Sequence, residues 1–134
     1  MVTEVVVKEA LSEEMIAAGA ELTRRLDSAG FAVAASLWLY VPETSSWRFV
    51  IGSSEVRTRG PRWAYKQIQS VLSKMPPEQV KVPLKDTTVV DSDDPLITLL
   101  KVAMKTGNAV SGIRFTQNVI NGTRIDDAYI YRVT

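Results

Sequence analysis

The chain has 134 residues, with 16 basic and 15 acidic side chains and neither cysteine nor histidine. This composition predicts a single domain over residues 1–134 and excludes disulfides, thiol chemistry, Cys/His zinc sites and imidazole bases. The formal net charge of +1 argues against a surface dominated by phosphate binding. With no secretion signal, membrane span or cofactor motif indicated, we expect a soluble, cytoplasmic protein without a cofactor.

Three helices are predicted from capping residues and apolar spacing, over residues 12–30, 61–75 and 95–107. Residues 3–7 are either a short strand or an extended lead-in, and the pattern leaves both open. The third helix has a larger set of apolar side chains that we predict to be buried. They are Leu96, Leu99, Leu100, Ala103 and Met104.

Strands are predicted on both sides of the second helix. Residues 31–41 and 47–51 are rich in β-forming residues and flank a polar loop, which is typical of a hairpin. Two short runs within residues 79–90 contain a further candidate strand.

A second hairpin is predicted at the end of the chain, where Asn121-Gly122 joins two β-prone runs as a type I′ turn. A two-residue turn fixes the register, and we favour this reading over a bulge at Asp126-Asp127. The predicted opposite pairs are Ile120 and Thr123, Phe115 and Ala128, Arg114 and Tyr129, and Ile113 and Ile130.

These elements predict an α+β fold with an antiparallel sheet of four or five strands built from two hairpins. Alternation along the strands separates aliphatic from aromatic side chains, and we expect the helices to pack on the aliphatic face alone. Residues 12–53 and 95–133 follow the same helix-strand-strand plan, which makes an internal duplication possible. Segregation into hairpins argues against a β-α-β nucleotide-binding unit, and no glycine-rich phosphate motif occurs.

The aromatic face is the first candidate site, because tyrosine, tryptophan and arginine are enriched at protein interfaces. We predict self-association or a protein partner there, ahead of stacking by single-stranded nucleic acid. A plainer interpretation is that helices cover both faces and the rings are core. The candidate partner-binding residues are Trp38, Tyr40, Arg114, Tyr129 and Tyr131.

The second candidate is the basic turn at residues 57–66, which surrounds the predicted N-terminus of the second helix. Four cations beside free backbone N–H groups favour a phosphate, a carboxylate or a nucleic-acid backbone. The alternative is a solvated turn whose cations reach nearby acidic side chains. The candidate anion-binding residues are Arg57, Arg59, Arg62 and Lys66.

The third candidate is acidic, because carboxylates hold Mg²⁺ in phosphoryl chemistry. Helix capping, a bulge or pairing with cations explains the same residues without a metal, and their spacing matches no ligand loop. The residues in question are Asp91, Asp93, Asp94, Asp126 and Asp127.

The sequence therefore favours a non-catalytic binding or assembly module that associates with itself or another protein. Nucleic-acid or anion binding at the basic turn is the alternative, and a metal-dependent phosphoesterase is the weaker one.

Overall fold

The computed structural model describes residues 9–134, so the predicted lead-in at residues 3–7 lies outside the described residues. None of the helices within 9–134 has the length and apolar character needed to cross a bilayer. In chain order the elements are α1 (Glu13–Ser28), β1 (Ala35–Val41), β2 (Ser46–Gly52), α2 (Glu55–Arg59), α3 (Pro61–Ser73), a 3-10 turn (Leu84–Asp86), β3 (Thr87–Val90), α4 (Pro95–Ala103), β4 (Ile113–Ile120) and β5 (Thr123–Val133).

Capping side chains begin two of the helices, as predicted. The Ser12 hydroxyl accepts a hydrogen bond from the Met15 amide at 3.1 Å, and the Asp94 carboxylate accepts one from the Leu96 amide at 2.9 Å. Each bond satisfies a backbone donor that the first helical turn leaves free. These local signals set where α1 and α4 start.

The sheet has five strands in the order β3-β2-β1-β5-β4, and β3 runs parallel to β2. The α+β class and both hairpins are confirmed, but the prediction of a purely antiparallel sheet is wrong. The reason is that α2 and α3 carry the chain back along the sheet before β3 begins, and such a crossover makes the next strand parallel. A β-α-β connection therefore exists, contrary to expectation, although without a glycine-rich phosphate loop.

Helices cover both faces of the sheet, which corrects the prediction of a single helical layer. The rings of β1 and β5 lie in one cluster with side chains of α1 and α3. The aliphatic side chains of β1 and β5 lie in a second cluster with Ile97 and Leu100 of α4. The predicted separation of aromatic and aliphatic side chains onto opposite faces of the sheet is confirmed. The prediction that the longer helices pack on the aliphatic face is wrong, because α1 and α3 pack on the aromatic face.

The rings lie beneath α1 because backbone carbonyls of that helix accept hydrogen bonds from their polar ends. The Trp38 indole N–H donates to the Met15 carbonyl at 2.9 Å, and the Tyr131 hydroxyl donates to the Ile16 carbonyl at 2.6 Å. Buried tyrosine and tryptophan side chains need hydrogen-bond partners, and backbone carbonyls of the helix take the place of water here.

The two halves of the chain occupy different places in the fold. β1 follows α1 and is the central strand, whereas β4 follows α4 and is an edge strand. The helices α1 and α4 also pack on opposite faces. An arrangement of this kind does not support the α-β-β duplication.

The hairpin of β4 and β5 keeps its predicted register, including the pairs Ile120 with Thr123 and Arg114 with Tyr129. The faces nevertheless switch within it at Gln117, whose backbone is left-handed with φ 47°. Ile120 and Ile125 consequently join the aliphatic cluster, although strict alternation would turn them to the aromatic face. Burying two isoleucines contributes about 1.5 to 3 kcal/mol each, which outweighs the cost of about 1 to 3 kcal/mol for the backbone.

Gln117→Gly is expected to raise the free energy of unfolding by about 0.5 to 1 kcal/mol, because glycine adopts this backbone without strain. Gln117→Val is expected to lower it by about 1 to 2 kcal/mol, because β-branched residues tolerate positive φ poorly. Urea denaturation measures both, with Asn118→Val as the control on the same exposed strand. If Gln117→Gly lowered the free energy of unfolding and Gln117→Val raised it, the backbone at Gln117 would be extended and not left-handed.

Candidate functional site

Three of the five predicted interface residues are core residues. Trp38 is 1% exposed, Tyr40 8% and Tyr131 1%. The prediction that their face of the sheet is bare is wrong, and these rings are not accessible to a partner. Burial also raises the pKa of the Tyr131 hydroxyl.

Tyr129 is half-buried, and its ring packs edge-on against Tyr131 with the centroids 5.3 Å apart. It lines an open groove of about 570 Å³ between α1 and the segment before β4. Arg24 and Gln79 line the same groove. Of the three tyrosines in the predicted set, Tyr129 is thus the one that is not buried.

Arg114 is partly exposed and forms a two-armed ion pair with Asp127, with both N–O distances 2.6 Å. Its guanidinium also lies 5.7 Å from the centroid of the Trp47 ring. The hydrogen bonds to Asp127 raise the pKa of Arg114. Asp126 pairs separately with Arg124 at 2.9 Å, so each acid of this doublet has its own arginine.

The basic turn and the acidic segment before α4 meet each other. Arg57 donates to Asp91 at 3.0 and 3.1 Å and also to Asp93. These hydrogen bonds, that to Asp93 foremost, raise the pKa of Arg57. The meeting follows from the topology, because α2 comes directly after β2 and Asp91 directly after β3, and the carboxyl ends of parallel strands share one edge.

The remaining cations of the basic turn have different surroundings. Arg59 lies 4.6 Å from the centroid of the Trp63 ring, and Trp63 in turn stacks on Phe31. Arg62 and Lys66 are exposed on α3. Anion binding at this turn stays a prediction, with Arg62 and Lys66 as its exposed cations.

The acidic residues are distributed over capping and pairing roles. Asp94 caps α4, and Asp91 and Asp93 pair with Arg57. Over residues 9–134 there is no group of three or more acidic side chains placed to hold a metal ion. The geometry of the described residues therefore gives the phosphoesterase hypothesis no support.

The surface that the sequence reasoning missed is on α4, whose sequence PLITLLKVA contains only Thr98 and Lys101 as polar residues. Ile97 and Leu100 are fully buried against the sheet. A second set of apolar side chains lies outside these two: Val102 is 61% exposed and Ala103 is also exposed, whereas Leu96 and Leu99 are partly buried at the edge of the aliphatic cluster. We call this set the outer stripe; it comprises Leu96, Leu99, Val102 and Ala103.

Other long helices of the described chain have polar outer sides. On α3, the exposed side chains Arg62, Lys66, Gln69 and Ser73 recur at the spacing of a helix surface. In α4 the same kind of spacing, at positions 96, 99 and 103, belongs to apolar residues. α4 therefore exposes apolar side chains at Val102 and Ala103, beside the exposed Thr98, and exposed apolar surface of this kind is typical of contact sites.

The face under α4 is larger than the helix. Five strands spaced about 4.8 Å apart place the axes of the outer strands about 19 Å apart, whereas nine helical residues form a rod about 14 Å long and about 10 Å across. Side chains around α4 consequently stay partly exposed, namely Leu39, Met104, Ile113 and Phe115. A hollow of about 190 Å³ also opens beside Leu96 and Leu99.

A sequence signal for this surface existed in the composition of α4. The prediction that all five apolar residues after Pro95 are buried holds for Leu100, whereas Leu96, Leu99 and Met104 are partly buried and Ala103 is exposed. Five apolar positions on so short a helix exceed one face, and the excess indicates a second contact surface.

The molecule is thus an α+β domain with a mixed sheet and one helix, α4, that exposes apolar side chains. Comparison with known proteins gives no match to a family model, a curated protein or a solved structure.

Proposed function

We propose that the chain is a non-catalytic protein-binding module that works in an assembly, with the outer stripe of α4 as its binding surface. The observation that carries the proposal is the exposure of apolar side chains on α4, where Val102 is 61% exposed and Ala103 is also exposed. Among residues 9–134 the surface side chains of α1 and α3, on the other face of the sheet, are largely polar.

The energetic argument concerns apolar area. Full burial of a Val or Leu side chain contributes about 1.5 to 3 kcal/mol relative to exposure. The outer stripe is a row of apolar side chains with a hollow of about 190 Å³ beside it. Partner proteins recognise helices through apolar rows and grooves of this kind. Covering them would complete the second helical layer of the sheet.

The competing sites supply weaker support for function. Arg57 is already neutralised by Asp91 and Asp93, and Arg114 by Asp127. An interface proposal needs no further group, since an apolar patch bordered by charges is itself the usual mark of a contact surface.

Site-specific photo-crosslinking in cells that express the chain tests the proposal. A photoreactive residue at position 102 is expected to give protein adducts in high yield. The matched control is position 80, where Val80 is 51% exposed but lies outside α4. Equal adduct yields at the two positions, or none at position 102, would contradict the proposal.

A further inference from the structure

We infer that an extended peptide segment of another protein binds in the groove between α1 and residues 110–112, where it adds a strand to the edge of the sheet. This site is independent of the outer stripe, because the groove lies on the other face of the sheet. Three features support it, namely an open backbone edge, an apolar floor and opposite charges at the two ends of the groove.

The edge of the sheet is open beside the groove. The Ser111 amide donates to the Tyr131 carbonyl at 2.7 Å, so this segment lies alongside β5 and leads into the edge strand β4. The backbone groups of Val110 and Gly112 form no hydrogen bond with any other described residue. Amides alternate in direction along an extended chain, so those on either side of Ser111 point away from β5. An added strand would bond to them, which is the peptide-recognition mode of strand addition.

The floor of the groove is apolar, and no side chain covers the edge at Gly112. The Tyr129 ring lies directly beside Gly112, because a Cβ there would be 2.4 Å from the Tyr129 hydroxyl oxygen. Side chains alternate along a strand, so every second side chain of the peptide would pack on the floor while the others face solvent. The residues of the floor are Ile16, Ala20, Val110, Tyr129 and Tyr131.

The two ends of the groove carry opposite charges. Glu13 lines one end, in the first turn of α1, and Arg24 lines the other. Neither forms an ion pair with another described residue, whereas Glu21 between them is paired with Arg25. They lie about 16 Å apart along the helix, which is the length of about five extended residues. The occupant is therefore a peptide segment with a basic group near Glu13 and an acidic group near Arg24.

The first experiment uses a phage-displayed library of random heptapeptides as the probe, selected on the purified full chain. Enriched peptides are expected to have a basic and an acidic residue about four positions apart, with apolar residues alternating between them. Ala17→Trp fills the groove from an exposed position of α1 and is expected to raise their dissociation constants about tenfold or more. Gln69→Trp, exposed on α3, is the matched control and is expected to leave binding unchanged. Circular dichroism verifies that both variants fold.

The second experiment tests whether the peptide binds as a strand. N-methylation of every second amide of an enriched peptide is expected to raise the dissociation constant about five- to tenfold, because those amides bond to the edge. Methylation of the intervening amides is expected to change it by no more than about twofold. Fluorescence anisotropy with labelled peptides measures both series.

The third experiment reverses the charge at one end of the groove. Arg24→Glu is expected to raise the dissociation constant of an enriched peptide about fivefold at low salt, because two acidic groups then meet. A peptide with lysine in place of its acidic residue is expected to recover the affinity for this variant. A merely structural role for Arg24 would not produce this rescue.

The outcomes separate this site from the outer stripe. No enrichment, or enriched peptides whose affinity Ala17→Trp leaves unchanged, would overturn the inference. Peptides that lose affinity with Val102→Lys but not with Ala17→Trp would occupy the outer stripe, which would support the proposed function and overturn the inference. Equal sensitivity to methylation at every amide would overturn strand addition, and dimerisation of the chain that Ala17→Trp blocks would make a second copy the occupant instead.

Discussion

Asp27→Ala is expected to lower the free energy of unfolding by about 2 to 4 kcal/mol, because it leaves a buried cation without its counter-charge. Arg132 is 3% exposed and donates to both carboxylate oxygens of Asp27 at 2.8 Å. It also donates to the backbone carbonyls of Val33 and Asn108, so it joins the end of α1 to two loops. The expected loss of stability is smaller than for a fully buried ion pair, because the Asp27 side chain is 39% exposed.

Arg132→Met is expected to cost less than Asp27→Ala, since the carboxylate that it leaves unpaired can be hydrated and methionine fills the space. Glu21→Gln, which removes a half-exposed helix ion pair with Arg25, is the control and should change stability by no more than about 0.5 kcal/mol. Urea denaturation of the three variants ranks their free energies of unfolding. If Arg132→Met proved the most destabilising, the cost would come from lost loop contacts and not from an unpaired charge.

Gly19→Ala is expected to destabilise the fold by about 1 to 3 kcal/mol, although alanine is a better helix former than glycine by about 1 kcal/mol. A Cβ at Gly19 would lie about 2.4 Å from the Tyr131 hydroxyl oxygen and 2.7 Å from its ring carbon. The ring cannot move away freely because it is 1% exposed and its hydroxyl is bonded to the Ile16 carbonyl. Thermal or urea denaturation measures the effect.

Gly30→Ala provides the control for Gly19→Ala. Gly30 has φ 78° and no neighbouring atom within 4 Å of a Cβ, so its substitution reports backbone strain alone. Tyr131→Leu should reduce the penalty of Gly19→Ala, because the colliding ring is gone. Additive effects of the two substitutions would show that the helix and the tyrosine do not meet in the way described.

The same tyrosine gives the fold a dependence on alkaline pH. Burial raises the pKa of Tyr131 above its ordinary value of about 10. The unfolded chain therefore releases this proton first, and the stability that Tyr131 contributes is present below about pH 10 and declines above it. Tyr131→Phe should remove this part of the alkaline decline, and an identical pH profile in both proteins would contradict the assignment.

Local chemistry explains what the sequence predicted well. Asn121 and Gly122 have positive φ, as a type I′ turn requires, and this turn fixed the pairing of β4 with β5. Capping by Ser12 and Asp94 likewise depends on neighbours within three residues. Features decided within one turn of chain were therefore predictable.

Features decided by distant contacts were not. The choice of face for α1 depends on Gly19 fitting against Tyr131, more than a hundred residues later. No pattern indicates the switch of faces at Gln117, because glutamine is an ordinary strand residue on an exposed edge. The candidate interface shifted accordingly, from rings that α1 covers to aliphatic residues on α4.

Thiol labelling of single introduced cysteines tests the account most directly, because the chain has no cysteine and an introduced thiol is unique. Val102 is 61% exposed on α4 and Val80 is 51% exposed outside it, so the two positions are matched in exposure. In cells that express the chain, Val102→Cys is expected to react more slowly with a membrane-permeant maleimide than Val80→Cys, because a bound partner covers α4. Equal rates at the two positions, or a faster rate at position 102, would contradict the assignment of α4 as a contact surface.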